Sequence, residues 1–211
     1  MKKKKIVFVF DFDQTLTMYH SGGLPELEVD YIERMDLLLP MLEKLNQRGI
    51  VVYINTRGIA ADVKLYLKKK LDGPDKVLWI RDVYGADSEE NIGDALLPDE
   101  TAFNRIDDLV IKTLGQRKDM KDPSSRVWAY QKSVFLEDIA TREGVTDKAD
   151  VYFFDDTAIN VEYAKTNGFT NSFRIFDGTD SSDPSLITTN QQYLEYTNVL
   201  VEQILSTMEL T

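Results

Sequence analysis

Behind a run of lysines, the chain carries an unbroken apolar stretch, Ile6–Phe10, that stops abruptly at Asp11. A short continuous apolar run bounded by charge is the pattern of a strand buried on both faces. Asp30–Arg48 then sets Ile32, Met35, Leu38, Leu39, Leu42 and Leu45 at helical spacing and halts at Gly49. Ile50–Asn55 (IVVYIN) reads as a second strand, followed by a helix through Leu71 and a turn at DGPD. Lys76–Ile80 (KVLWI) predicts a third strand. Arg81–Arg126 is polar and glycine-bearing, with one helix expected within Asp99–Leu114. Trp128–Thr141 predicts a helix and Val151–Phe154 a strand. Ala158–Asn167 predicts a helix stopped by Gly168, and SFRIF from Ser172 a short strand. Asp177–Asn190 is loop-like. Gln191–Met208 predicts a last amphipathic helix whose apolar stripe, Leu194, Leu200, Val201, Ile204 and Leu205, is expected to pack on the sheet.

Strands alternating with helices imply crossover connections, hence an α/β fold with a mostly parallel sheet covered by helices on both faces. The 211 residues are expected to form one domain, with a small lid or insert at about 82–126 and a C-terminal helix at about 191–208. In such folds, ligands bind at the carboxyl ends of the strands, where strand order reverses. The residues just past each apolar run therefore decide the chemistry. The first run delivers Asp11-Phe12-Asp13, the second Asn55-Thr56-Arg57-Gly58, and the fourth Asp155-Asp156-Thr157.

Composition narrows what those residues can do. Without cysteine there is neither thiolate catalysis nor a zinc–thiolate site. The net charge of −11 argues against a general nucleic-acid binder and fits a site that holds a cation. No apolar run reaches the roughly 20 residues of a membrane span. The short lysine-led start, lacking a small-residue cleavage site, reads as a solvated lead-in to a strand, not a secretory signal.

Four aspartates gathered at strand ends cannot all remain free anions: either their pKa values rise or a cation joins them. Oxygen ligands alone, without histidine or cysteine, select Mg²⁺, which favours one or two carboxylates together with substrate phosphate. An aspartate held beside a phosphate can attack it and form a covalent phosphoryl intermediate. A second carboxylate can then protonate the leaving group and activate water.

DFDQT after a buried strand, the threonine in VVYINTRG, a downstream lysine and FFDDTAIN together resemble the four motifs of the haloacid dehalogenase superfamily. The resemblance covers about residues 6–176 and implies a Rossmann-like fold without a large cap domain and Mg²⁺-dependent phosphoryl transfer. It implies Asp11 as nucleophile and metal ligand. Asp13 would be the acid/base and a metal ligand through its carbonyl. Thr56 and a lysine would hold phosphate, Asp156 would bind Mg²⁺, and Asp155 and Thr15 would support. An aspartate at Asp13 points to phosphate monoester hydrolysis. Asn160, where many relatives carry another aspartate, is expected to act through a metal-bound water. Arg57 either assists the phosphate or faces solvent.

Among Lys112, Lys118, Lys121 and Lys132, only Lys132 lies in an apolar helical stripe, with Trp128, Phe135, Leu136 and Ile139. A lysine there is costly unless it reaches an anion, so Lys132 is expected to point toward Asp11 and Asp155. His20 reads as a loop residue. The insertions at Thr17–Asp30 and Arg81–Arg126 are short for a cap domain, so the site is expected to admit a phosphate carried on a protein, phosphotyrosine favoured. A weaker resemblance to capless phosphatases among secreted bacterial effectors points the same way. The expected location is the cytoplasm, or a host cytosol for an effector. The alternatives are a phosphatase of small metabolites or nucleotides, and a non-catalytic binding module on the same fold.

Overall fold

The computed structural model describes residues 4–17, 35–71, 79–91, 99–114, 123–175 and 193–208. Its core is an open sheet of five strands, all parallel, in the order β3-β2-β1-β4-β5. The strands are β1 Val7–Phe10, β2 Val51–Asn55, β3 Ile80–Tyr84, β4 Val151–Asp155 and β5 Ser172–Arg174. The helices are α1 Met35–Gln47, α2 Ala60–Lys70, α3 Glu100–Leu114, α4 Pro123–Glu143, α5 Ala158–Thr166 and α6 Tyr193–Met208. The chain starts at the centre with β1, winds outward through β2 and β3, then returns to β1's other side with β4. The order therefore reverses between β1 and β4.

Alternation along the strands divides the core in two. Phe8, Phe10, Val52, Ile54 and Phe154 lie on the face covered by Leu38 and Leu42 of α1, Val63 and Tyr66 of α2, and Val201 and Leu205 of α6. An aromatic ladder crosses the strands on this side: Phe10 to Phe154 at 4.6 Å and Phe154 to Phe173 at 5.5 Å between ring centroids. Val7, Val9, Tyr53 and Phe153 lie on the opposite face, under Phe135, Leu136 and Ile139 of α4 and Ala164 of α5. The central strand β1 is buried along its whole length, as a strand covered on both faces must be. Helix α3 packs outside α4 and α5 through Ile106, which meets Ala129, Ile159 and Tyr163. Gly49, with φ of +70°, takes the left-handed turn that ends α1.

Two boundaries differ from the sequence expectation. The third strand runs Ile80–Tyr84, four residues beyond the end expected at Ile80 and into the segment expected as an insert, while Lys76–Leu78 of the expected strand lie outside the described residues. Among the described residues β3 is an edge strand that pairs only with β2, and it accommodates Arg81 and Asp82, whose polarity reads as loop. Helix α4 begins at Pro123, five residues before Trp128, which places the half-buried Trp128 in its second turn. The insertion expected at Thr17–Asp30, Thr17 apart, and the loop expected at Asp177–Asn190 lie outside the described residues.

Candidate active site

The parity that sorts the core also builds the site. On the face beneath α4, the residue following Val9 in alternation is Asp11, that following Tyr53 is Asn55, and that following Phe153 is Asp155. Three polar side chains thus reach the carboxyl ends of the three central strands on one side. β1 and β4 pair from Val7↔Val151 to Phe10↔Phe154, and the Asp11 amide continues the ladder by donating to the Phe154 carbonyl at 2.7 Å. This holds Asp11 beside Asp155 at the switch point of the sheet.

Lys132, on α4 and only 1% exposed, comes down between them. Its Nζ lies 2.7 Å from Asp11 Oδ1 and 2.6 Å from Asp155 Oδ2. Asn55 Nδ2 donates to the Lys132 carbonyl at 3.0 Å, tying the end of β2 to the helix turn that carries the lysine. Asp155 is saturated: it also accepts from the Thr157 amide at 2.8 Å and from Asn160 Nδ2 at 2.9 and 3.1 Å. Asp156 is buried beside them, and carboxylate oxygens of Asp11, Asp155 and Asp156 all lie within 4.8 Å of one another. Arg174 Nε, at the end of β5, donates to the Asp156 carbonyl.

One ammonium cannot balance this much buried acid. Burial, opposed by Lys132, raises the Asp11 carboxyl above its usual range. Burial raises Asp155 to about 6, again opposed by Lys132 and reinforced by Asp11. Burial, then the charges of Asp155 and Asp11, push Asp156 well up. Burial alone would lower the Lys132 ammonium, but its two carboxylate partners outweigh that and raise it. The group can hold a metal ion: it offers clustered hard oxygen donors, excess negative charge and the buried, unpartnered Asn160 Oδ1 facing no described donor.

Asp13 is half-buried on the turn after β1, and its charge acts on Asp11. That turn is wound on the Phe12 carbonyl, which accepts from the amides of Leu16 and Thr17 at 3.0 and 3.1 Å, and Gln14 takes φ of +55°. Thr15 is fully buried; its carbonyl accepts from Thr197 Oγ1 of α6 at 2.8 Å. The C-terminal helix therefore fastens the turn carrying Asp13, besides packing on the sheet. Thr56 is buried, and its Oγ1 accepts from the Gly58 amide at 3.0 Å, leaving its own proton available to a ligand. Arg57 is exposed and stacks over Trp128, its Cζ 5.5 Å from the ring centroid. Trp128 is thus a rim residue, whereas Phe135, Leu136 and Ile139 of the expected stripe do face the sheet.

Sequence reasoning missed the brace behind Thr56. Gly85 lies so close to the loop after β2 that a Cβ there would sit 2.3 Å from the Gly58 carbonyl oxygen and 2.7 Å from the Ala60 nitrogen. Asp87 accepts from the Ala60 and Ala61 amides at the start of α2. His20, Lys118 and Lys121 lie outside the described residues, as does the Lys112 side chain. No helix among the described residues is long and apolar enough to cross a membrane. No protein-family model matches the chain, and no curated protein matches it.

Proposed function

We propose that the chain is a Mg²⁺-dependent phosphatase of the haloacid dehalogenase type, hydrolysing phosphate monoesters through an aspartyl-phosphate on Asp11. The observation that carries this reading is the buried Asp11–Lys132–Asp155 bridge beside Asp156 at the sheet's switch point. Residues of three motifs far apart in the sequence, Asp11, Lys132 and the Asp155–Asp156 pair, support it by meeting at one point.

Asp11 and Asp156 would hold the ion, with the Asp13 carbonyl completing the protein ligands that the family resemblance implies. Asp155 is already engaged by nitrogen donors on both oxygens, which suits it to positioning Lys132. The ion would neutralise the clustered carboxylates and draw charge from the phosphate oxygens.

In the first step, an Asp11 oxygen forms a bond to phosphorus while the bond to the leaving oxygen breaks. Asp13, next along the turn, gives its proton to that leaving oxygen. In the second step, Asp13 takes a proton from water, the water oxygen bonds to phosphorus and the Asp11 oxygen–phosphorus bond breaks, which releases inorganic phosphate and regenerates the Asp11 carboxylate. Lys132 and the Thr56 hydroxyl offer donors to the phosphoryl oxygens as charge develops. The substrate we favour is phosphate on a protein, phosphotyrosine above all, since the insertions flanking the second motif are short for a cap domain.

The test is release of phosphate from p-nitrophenyl phosphate. Turnover should require Mg²⁺, vanish with EDTA and fall by orders of magnitude in Asp11→Asn, whose melting temperature stays level or rises. Undiminished turnover in Asp11→Asn would refute the aspartyl-phosphate route, and no turnover by the wild-type protein on a panel of phosphopeptides and metabolites would favour a binding module.

A further inference from the structure

The Arg57–Trp128 stack stands at the edge of the site without a role in the chemistry above. Arg57 directly follows Thr56, the residue at the end of β2 proposed to hold phosphate. Trp128 lies one turn before Lys132 on α4, which precedes and runs back to β4, so this turn is on the side of the strands' carboxyl ends. The pair therefore borders the same crevice that Lys132 enters from within. In a chain of net charge −11, an exposed arginine would ordinarily find a carboxylate. Among the described residues, Arg57 has none and instead covers an aromatic ring.

A guanidinium is planar and has two faces suited to stacking. The Arg57 Cζ lies 5.5 Å over the Trp128 ring, which anchors the guanidinium at the rim, and Arg57 is exposed, so an arriving group can reach it. Resting on the phosphatase reading, we propose that the Arg57–Trp128 pair is a specificity element that stacks on an aromatic ring bonded directly to the phosphate. The site then prefers aryl phosphates to alkyl phosphates by binding, separately from the better leaving-group ability of a phenol. An alkyl chain meets the same guanidinium without a matching plane and gains only general contact. The half-exposed indole supports the rim position: a purely structural tryptophan on α4 would follow Phe135 and Leu136 under the sheet.

The test uses phosphonates, which bind without turning over. Phenylphosphonate and methylphosphonate are titrated calorimetrically into the Mg²⁺-loaded protein, the Arg57→Met variant and the Trp128→Leu variant. The wild type should bind the phenyl compound about three- to tenfold tighter, the range a single ring stack supplies. The gap should shrink below about twofold in both variants. The sequence has two tryptophans, so Trp79→Phe isolates Trp128 emission, which should respond to phenylphosphonate and not to methylphosphonate. Equal affinities in the wild type, or a gap that survives both substitutions, would overturn the stack as a specificity element while leaving the phosphate site intact. Failure of both phosphonates and of inorganic phosphate to bind would overturn the phosphatase reading beneath it. Because Arg57 is exposed, Arg57→Met remains decisive even where Trp128→Leu folds poorly.

Discussion

Replacing Lys132 by Met keeps the buried stem and removes only the charge, and the structure sets the size of the consequence. The ammonium is within 2.7 Å of Asp11 and 2.6 Å of Asp155, both nearly inaccessible to water. Without it, the clustered carboxylates of Asp11, Asp155 and Asp156 lose the one cation bonded to them among the described residues. Removing one partner of a buried ion pair costs about 3–5 kcal/mol, because the charge left behind has neither water nor partner. A domain of ordinary stability, 5–15 kcal/mol, survives that loss with a much smaller margin. At this chain length, the corresponding fall in melting temperature is on the order of 10 °C.

The loss has a pH signature. The stranded carboxyls can relieve the strain by taking up protons, and Asp155 already titrates near 6 with the lysine present. The cost of Lys132→Met should therefore be largest at pH 7.5 and shrink as pH falls toward 5. Lys132 itself adds no slope in that window: its folded pKa is raised, so its contribution is complete below the unfolded value and is lost only at much higher pH. Urea unfolding of the metal-free protein at both pH values is the assay. The double variant Lys132→Met/Asp11→Asn should be more stable than the two single changes sum to, since one substitution removes the charge that the other strands. A Lys132→Met protein within about 1 kcal/mol of wild type at pH 7.5, or strictly additive single changes, would refute the reasoning. Under the proposed function, the same variant should lose about 10²-fold or more in kcat/KM, while Lys118→Met and Lys121→Met stay within a few-fold.

Three further outcomes test other parts of the site. Asp156→Asn removes a carboxyl whose pKa is raised by burial and its acidic neighbours; without metal, the variant should match wild type near pH 4 and gain in relative melting temperature as pH rises to 7, and a pH-independent difference would count against the crowding. Gly85→Ala should destabilise by about 1–3 kcal/mol and raise KM, because the new methyl must displace the Gly58 carbonyl and with it the loop after Thr56; unfolding curves and initial-rate kinetics read the two effects. Thr197→Val should cost about 1 kcal/mol and lower kcat modestly by releasing the Thr15 carbonyl, and Thr197→Ser should restore both; a Ser variant no better than Val would show that the methyl, and not the hydroxyl, matters.

What could be read from the sequence was whatever local periodicity carries. The apolar runs at β1, β2 and β4 and the helical stripes of α1 and α6 were legible because burial selects them residue by residue. Lys132 was legible for the converse reason, as a charge inside a stripe that has to be explained. The edge strand β3 was not, because a strand paired on one side keeps Arg81 and Asp82 while the neighbouring KVLWI run looks more strand-like. Trp128 was misread because stripe spacing gives the face of a helix but not how far the sheet extends beneath it. Contacts between distant segments leave no local trace: Thr197 fastening Thr15, and Gly85 making room for Gly58, depend on elements that meet only after folding. Asn55 stood among the strand-end residues, yet nothing local marks an asparagine that will bond to the backbone of Lys132.

The site's position and its charge imbalance have a common origin. Strand parity fixes which residues past Phe10, Ile54 and Phe154 fall under α4, and the reversal of strand order opens a crevice between β1 and β4 at the same level. Apolar residues at Asp11 and Asp155 would extend the core by one layer and leave no need for Lys132. Acidic ones place anions where α4 delivers a single lysine, since the neighbouring positions on that face, Ala129, Phe135 and Leu136, are given to core packing. The deficit of positive charge is therefore a consequence of geometry that packing alone cannot relieve. It can be relieved by protons, as the raised carboxyls show, or by a divalent ion, which takes two charges into one small volume. At neutral pH a divalent ion would be the stronger solution, and under the proposed function that ion is also what would draw the dianion of a phosphate ester to the site.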